Sequence, residues 1–343
     1  MVQDNEERIA FSSALRDFLE YHETNNSSPG TLDSYSRALH AFVAWLQSSH
    51  GLVYVDELRI KHLRAYVVYL QKKPSRRGYP LSDTTVNHYA LIVSVFCHWM
   101  EHEEMISRSV IQHFDLPKFE VKDIPAFTRD DLDMLLDACE EGDKNKPKLR
   151  RALTARNRAM VSVFFDSGIR RSELAGLCLG DIDRDLRLLH VKRKGGKWQQ
   201  VPIAYDGFKV LHEYITKHRP YLAALGPNVG TKKDDPVFLG SRGEPLKSGG
   251  IASFFERLKS RVKIDKPVRS HQGRRYMATT QLDAGRNPLD VQRQMGHSTL
   301  MMTNRYYSQS VEGLKRSHEK YSPLRRKGDV NHSSGLGSGY YEE

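Results

Sequence analysis

One place in this 343-residue chain reads as β structure, and the sequence around it reads as helix. Leu186-Arg187-Leu188-Leu189-His190-Val191 and Gln200-Val201-Pro202-Ile203 are extended runs flanking Lys192-Arg193-Lys194-Gly195-Gly196-Lys197. A Gly-Gly pair between two such runs predicts a hairpin turn. With helical periodicity on both sides of it, the expected fold class is mainly α with a small antiparallel β-sheet, an α+β chain. Four cations between Lys192 and Lys197 predict a tip that lies against negative charge.

The first 118 residues predict a small four-helix domain. Residues 1–7 are polar and expected to fray. Phe11, Leu15, Phe18 and Leu19 recur at helical spacing from Ile9 to about His22. After the turn cluster 25–30, Thr31 is expected to cap a second helix with Leu32, Tyr35, Leu39, Phe42 and Leu46 on one face. A third helix fits residues 60–72. The loop that follows, with Arg76 and Arg77 between two prolines, is basic and breaks structure. Ser82 opens a fourth helix through about His102, with Val86, Tyr89, Val93 and Phe96 inward. The aromatic positions are expected to pack a core rather than stack on bases.

A proline-bearing stretch without periodicity places a linker at 119–127. The second domain is expected over 128–325 and a Gly/Ser-rich, disordered tail over 326–343. Thr128 with acidic residues behind it reads as a helix start. A buried helix is expected from about Leu153 to Ser167, stopped by Gly168. Further helices are expected over 206–217, from Ile251 toward Val262, and over 309–321.

Formal net charge is +11 with a pI of about 9.4. The first 118 residues carry 12 Lys and Arg against 14 Asp and Glu, whereas the remaining 225 carry 41 against 28. The positive excess thus lies in the second domain, which favours nucleic acid or another polyanion as partner. Cys97, Cys139 and Cys178 are isolated, without metal-ligand spacing, as expected of thiols in a reducing compartment. No signal peptide or membrane-length apolar run is present, so a soluble, cytoplasmic protein is expected. HExxH, P-loop and GxSxG patterns are absent, and no cofactor or metal is expected.

The chemistry-bearing residues concentrate between 271 and 307. His271 and Arg274 lie three apart, on one face of a helix. Val291 and Met295 form an apolar pair on the next helix, which ends at Gly296, and His297 follows. Tyr306 and Tyr307 come after a further apolar patch. A tyrosine hydroxyl is a poor nucleophile at its free pKa of about 10. Surrounded by cationic donors and facing an anionic electrophile it becomes useful. The combination points to a phosphodiester. Earlier in the chain, Arg170 follows a helix end between apolar helices, where its charge is costly unless it meets an anion. The bland alternative is an ion pair with Glu173 or Asp181.

His271-Gln272-Gly273-Arg274, Met295-Gly296-His297 and Tyr306, in that order, resemble the signature of the tyrosine recombinases, the phage integrase family. The nine-residue step from His297 to Tyr306 matches the family spacing and selects Tyr306 over Tyr307 as nucleophile. Ser167 to Leu174 resembles the family box that carries its first catalytic arginine, at Arg170. The hairpin resembles the family's lysine hairpin, with Lys194 on the catalytic lysine and Lys197 as runner-up. Two positions depart from that pattern: Arg193 replaces a glycine and Gln199 replaces an arginine.

The resemblance implies a core-binding domain ahead of a catalytic domain, and a site of Arg170, Lys194, His271, Arg274, His297 and Tyr306. Lys192, Arg193 and Lys197 join Arg76 and Arg77 as expected DNA contacts. It further implies double-stranded DNA with specific recombination sites as partner, a tetramer on that DNA that exchanges its last helices, and a place for an accessory DNA-bending protein. The alternatives are a type IB topoisomerase-like strand-transfer enzyme and a DNA-binding module without catalysis.

Overall fold

The computed structural model describes residues 8–75, 78–118, 126–193, 195–226 and 229–296, with isolated positions 299, 315, 318, 319, 322 and 324 beyond them. Arg76, Arg77, Lys194, His297 and Tyr306 lie outside the described residues, as do most of the segments expected as linker (119–127), last helix (309–321) and tail (326–343). The chain divides into two compact units, Met1–Asp123 and Ile124–Glu343.

The first unit holds helices α1 (Phe11–Thr24), α2 (Pro29–His50), α3 (Ile60–Lys72) and α4 (Asp83–His102). Ser82 caps α4 as expected, its hydroxyl accepting from the Thr85 N–H at 3.3 Å. The start of α2 differs from expectation. Ser28 is its cap, accepting from the Thr31 N–H at 3.3 Å, so Thr31 lies inside the first turn. Pro29 is the first helical residue, a position whose N–H has no partner in a helix and where proline therefore costs nothing. Phe11, Phe18, Phe42, Tyr66 and Phe96 are buried in one core, with Phe18 and Phe96 edge to face at 5.2 Å between ring centres.

The second unit runs α5 (Arg129–Asp137), α6 (Pro147–Ser167), α7 (Arg171–Ala175), β1 (Ile182–Asp183), β2 (Leu188–Lys192), β3 (Trp198–Pro202), α8 (Tyr205–Glu213), α9 (Arg219–Ala223), α10 (Ser248–Lys259), α11 (Ser270–Asp283) and α12 (Pro288–Met295). A capping box starts α5: Thr128 Oγ1 accepts from the Asp131 N–H and the Asp131 carboxylate accepts from the Thr128 N–H. Helix α6 is the axis of the unit and packs against α5, α8, α9 and α11. It begins at Pro147, six residues ahead of the expected Leu153, because Lys148, Arg150 and Arg151 supply no apolar signal in its first turns. A π-helical turn, Tyr214–His218, joins α8 to α9.

Among the described residues the strands form one antiparallel sheet in the order β1-β2-β3. The hairpin register pairs Val191 with Gln199 and Lys192 with Trp198. Gly195 and Gly196 both have positive φ, 83° and 79°, which is what the turn requires of them. Strand β1 was not anticipated, since two residues are too short to display an alternation. The fold is thus mainly helical with a small antiparallel sheet, as expected.

Candidate active site

Helix α6 stops at Gly168, in left-handed conformation (φ 67°). The reversal buries Ile169 and places Arg170 at the N-cap of α7. The Glu173 carboxylate then meets Arg170 twice. Its Oε1 accepts from Arg170 Nη1 at 2.9 Å and its Oε2 accepts from the Arg170 N–H at 2.7 Å. Of the two partners weighed for Arg170, Glu173 is the one present, while Asp181 accepts instead from the Cys178 N–H. Burial pushes the Glu173 carboxyl up, but the bonds from Arg193 and from the Arg170 backbone outweigh it and hold the group below its usual range.

Helix α11 crosses α6 at close range. A Cβ at Gly273 would stand 3.0 Å from the Phe164 carbonyl carbon and 3.0 Å from Phe165 Cδ2, so any larger residue would push the two helices apart by a few tenths of an ångström. One residue on, Arg274 is buried to 2% exposure. Its Nη1 donates to the Gly168 carbonyl at 2.8 Å and its Nη2 to the Met295 carbonyl. His271, one turn earlier, is exposed. Partial desolvation, then the charges of Arg274, Arg170 and Arg275, hold its pKa below the ordinary 6.5. At neutral pH it is therefore an uncharged imidazole, able to accept a proton.

Arg170, His271 and Arg274 line one pocket of about 550 Å³. Three cationic or proton-accepting groups thus share a cleft, with Arg171 and Arg269 at the same walls. Arg171 Nε also donates to Ser248 Oγ at 2.9 Å, tying α7 to the start of α10. Such a cleft suits a phosphate, because planar guanidinium forks match its non-bridging oxygens.

The end of α12 closes the arrangement. The last carbonyls of a helix have no partner within it. Here the carbonyls of Arg293, which also takes the Gly296 N–H, of Gln294, of Met295 and of the following Gly296 accept from four different side chains. The Arg293 carbonyl takes Gln199 Nε2, that of Gln294 takes Arg193 Nη2 at 2.6 Å, that of Met295 takes Arg274, and that of Gly296 takes Arg170 Nη2 at 3.5 Å. Two candidate catalytic arginines and both departing hairpin positions therefore meet at one helix end, immediately before His297.

The model of the phage integrase family matches residues 125–312, and that of the phage integrase N-terminal SAM-like domain matches residues 15–107. The chain belongs to the phage integrase family. Membership makes it a tyrosine recombinase, and its relatives bear that name. It is 28% identical over 320 residues to the tyrosine recombinase XerC of Pelotomaculum thermopropionicum, covering 92% of this chain and 99% of the relative. It is 25% identical over 311 residues to the tyrosine recombinase XerD of Listeria innocua, covering 90% and 98%. The Tn1549 transposon integrase in complex with circular intermediate DNA shares the fold, with a TM-score of 0.69 at 18% identity over 91% of this chain and 99% of that one. A lambda integrase dimer bound to a COC′ core site does so at 0.63 and 17%, over 87% and 95%.

Of the residues the family pattern selects, Arg170, His271 and Arg274 are brought to the pocket, and Lys194, His297 and Tyr306 fall outside the described residues. Among the expected DNA contacts, Lys192 and Lys197 are exposed on the hairpin. Arg193 is a correction. It was expected at the tip facing DNA, but it is 9% exposed and turned inward onto Glu173, Gln199 and Gln294. A buried carboxylate at Glu173 attracts it there, and nothing in a local run of cations signals that partner. Arg171 and Arg269, also at the pocket, belong to no motif of their own: Arg171 adjoins Arg170, and Arg269 precedes the start of α11.

Proposed function

We propose that this chain is a site-specific recombinase that cuts and rejoins double-stranded DNA through a 3′-phosphotyrosine intermediate, without ATP or metal. The observation that carries this reading is the convergence of Arg170, Arg274 and an uncharged His271 on one pocket. DNA-bound family structures of the same fold support duplex DNA as the partner.

In this mechanism Arg170 and Arg274 hold the two non-bridging oxygens of one phosphate. Arg274 is fixed by backbone carbonyls and Arg170 by Glu173, so both forks are set before the substrate arrives. Tyr306 Oη attacks phosphorus, and His271 takes its proton. The bond from phosphorus to the 5′ oxygen breaks, and Lys194 protonates that oxygen as it leaves. His297 donates a hydrogen bond to the phosphate. The 5′ hydroxyl of a second strand then attacks the phosphotyrosine, releases Tyr306 and restores a phosphodiester. One ester replaces another at each step, so no external energy source is needed. Exchange between two sites calls for four such subunits, hence a tetramer on DNA, working in the cytoplasm.

The test is a nicked suicide duplex carrying the site that the wild-type chain selects from a random-sequence library. Wild type and Tyr307→Phe form a covalent adduct there, in EDTA as well as in magnesium, while Tyr306→Phe binds and forms none. An adduct that survives Tyr306→Phe, or that requires magnesium, overturns the mechanism.

A further inference from the structure

We propose that Arg193 is a positioning residue for strand cleavage. It acts as a buried clasp that holds the hairpin, the Arg170 fork and the end of α12 in one register. The proposal rests on the recombinase reading above and adds a residue that touches none of the reacting atoms.

Arg193 stands in a run of cations, where an exposed side chain would be the cheapest arrangement. Its neighbours Lys192 and Lys197 take that course. Arg193 instead spends its fork in three directions. Nη1 donates to Glu173 Oε2 at 2.6 Å, Nη2 to the Gln294 carbonyl at 2.6 Å, and Nε to Gln199 Oε1 at 2.9 Å. Each direction ends on a different part of the site. Glu173 holds Arg170 through the same carboxylate. Gln294 lies three residues before His297. Gln199 sits across the hairpin and caps the neighbouring Arg293 carbonyl. The Arg193 N–H also donates to the Lys197 carbonyl at 2.8 Å, so its backbone takes part in the hairpin as well as its side chain.

Two further features fit this assignment. A Cβ at Gly296 would stand 2.9 Å from Gln199 Oε1 and 3.1 Å from Arg193 Nε, so a side chain at 296 would press on this pair and displace it. The two hairpin positions that depart from the resembled family pattern, 193 and 199, are in contact with each other. The guanidinium absent at 199 is thus supplied from 193. Lysine cannot replace it, since an ammonium has no planar fork to reach three acceptors at fixed angles.

The test uses the full chain on the nicked suicide duplex described above, with single-site binding and single-turnover adduct formation measured separately. Arg193→Met keeps binding within about threefold and slows adduct formation by about 10²-fold, the scale for misplacing a transition-state donor. A bridging 5′-phosphorothiolate, whose sulfur leaves without a proton, restores only the share lost through Lys194. Arg193→Gly with Gln199→Arg returns the guanidinium to the same space and cleaves at least about tenfold faster than Arg193→Gly alone. If Arg193→Met fails to fold, Arg193→Lys retains a charge opposite Glu173, and binds normally while cleaving at least about tenfold more slowly.

Three results overturn the clasp: variants that cleave at the wild-type rate, a loss of cleavage matched by an equal loss of binding, or a double variant no better than Arg193→Gly. Each presupposes a wild-type adduct. A wild-type chain that forms none on its own selected site overturns the recombinase reading instead, so the two failures are distinguishable.

Discussion

Arg219 and Arg274 are the two largest fully buried side chains among the described residues, at 1% and 2% exposure, and they lie in different regions of the second unit. Arg219 serves the loop that precedes α10. It donates to the carbonyls of Gly230 at 2.7 Å, Pro236 at 2.7 and 3.0 Å, and Val237 at 3.2 Å. Arg274 also donates to backbone carbonyls, those of Gly168 and Met295, but it does so at the wall of a pocket it shares with Arg170 and His271. Burial of a charge therefore does not by itself mark chemistry. A guanidinium wrapped in neutral carbonyls can be a structural pin. What distinguishes Arg274 is a second cation and a proton acceptor facing the same open volume.

The widest separation between the two arginines is expected in rate. Arg274→Ala removes one of two forks on the phosphate, and adduct formation on the suicide duplex should fall by about 10³-fold while single-site binding persists. A rate within tenfold of wild type would mean that Arg274, like Arg219, is only a pin.

Arg219→Ala should have the opposite profile. It takes the guanidinium from the Gly230 and partly buried Pro236 carbonyls and leaves the buried Val237 carbonyl to Tyr214 Oη alone, and an acceptor that loses its donor away from water costs about 1–3 kcal/mol. Urea unfolding should report a loss of about 3 kcal/mol, with the adduct rate per folded molecule unchanged. A variant of wild-type stability and impaired cleavage would erase the distinction between the two regions.

What the sequence made legible follows the same divide between local and distant causes. Ser82, Thr128 and Gly168 announce their helix ends because capping is a contact between near neighbours. Helix α3 was placed at its observed bounds, and the hairpin was found from its glycine pair. Arg170, His271 and Arg274 were each recognisable within a short motif, and the structure brings them together. The inward turn of Arg193 was not legible. Two of its three partners are 20 and 101 residues away, and one sequence carries no sign of contacts at that separation. The early start of α6 was hidden for a different reason. A solvated, cationic first turn has no apolar stripe, so periodicity begins only where the core does.

The smallest expected effect, a pKa, tests the electrostatics of the pocket rather than its geometry. Partial desolvation and then the charges of Arg274, Arg170 and Arg275 oppose a proton on His271, so its folded pKa lies below the 6.5 of an ordinary imidazole. The sign for stability follows. As pH falls below 6.5 the unfolded chain takes up this proton before the folded one, so the folded state loses stability until pH has passed through the depressed value. The sign for catalysis is the same, because the neutral form is the proton acceptor for Tyr306. Adduct formation should thus hold up at mildly acid pH and fall only below the depressed pKa. NMR titration of the DNA-free protein should find His271 titrating below 6.5. Inorganic phosphate seated between the two forks should raise that value, by neutralising the cations that lowered it. Arg274→Ala should raise it as well, whereas Arg219→Ala should leave it where it is. A His271 that titrates at or above 6.5 in the free protein would show that the pocket's cations do not act on it, and would remove its standing as the neutral-pH base.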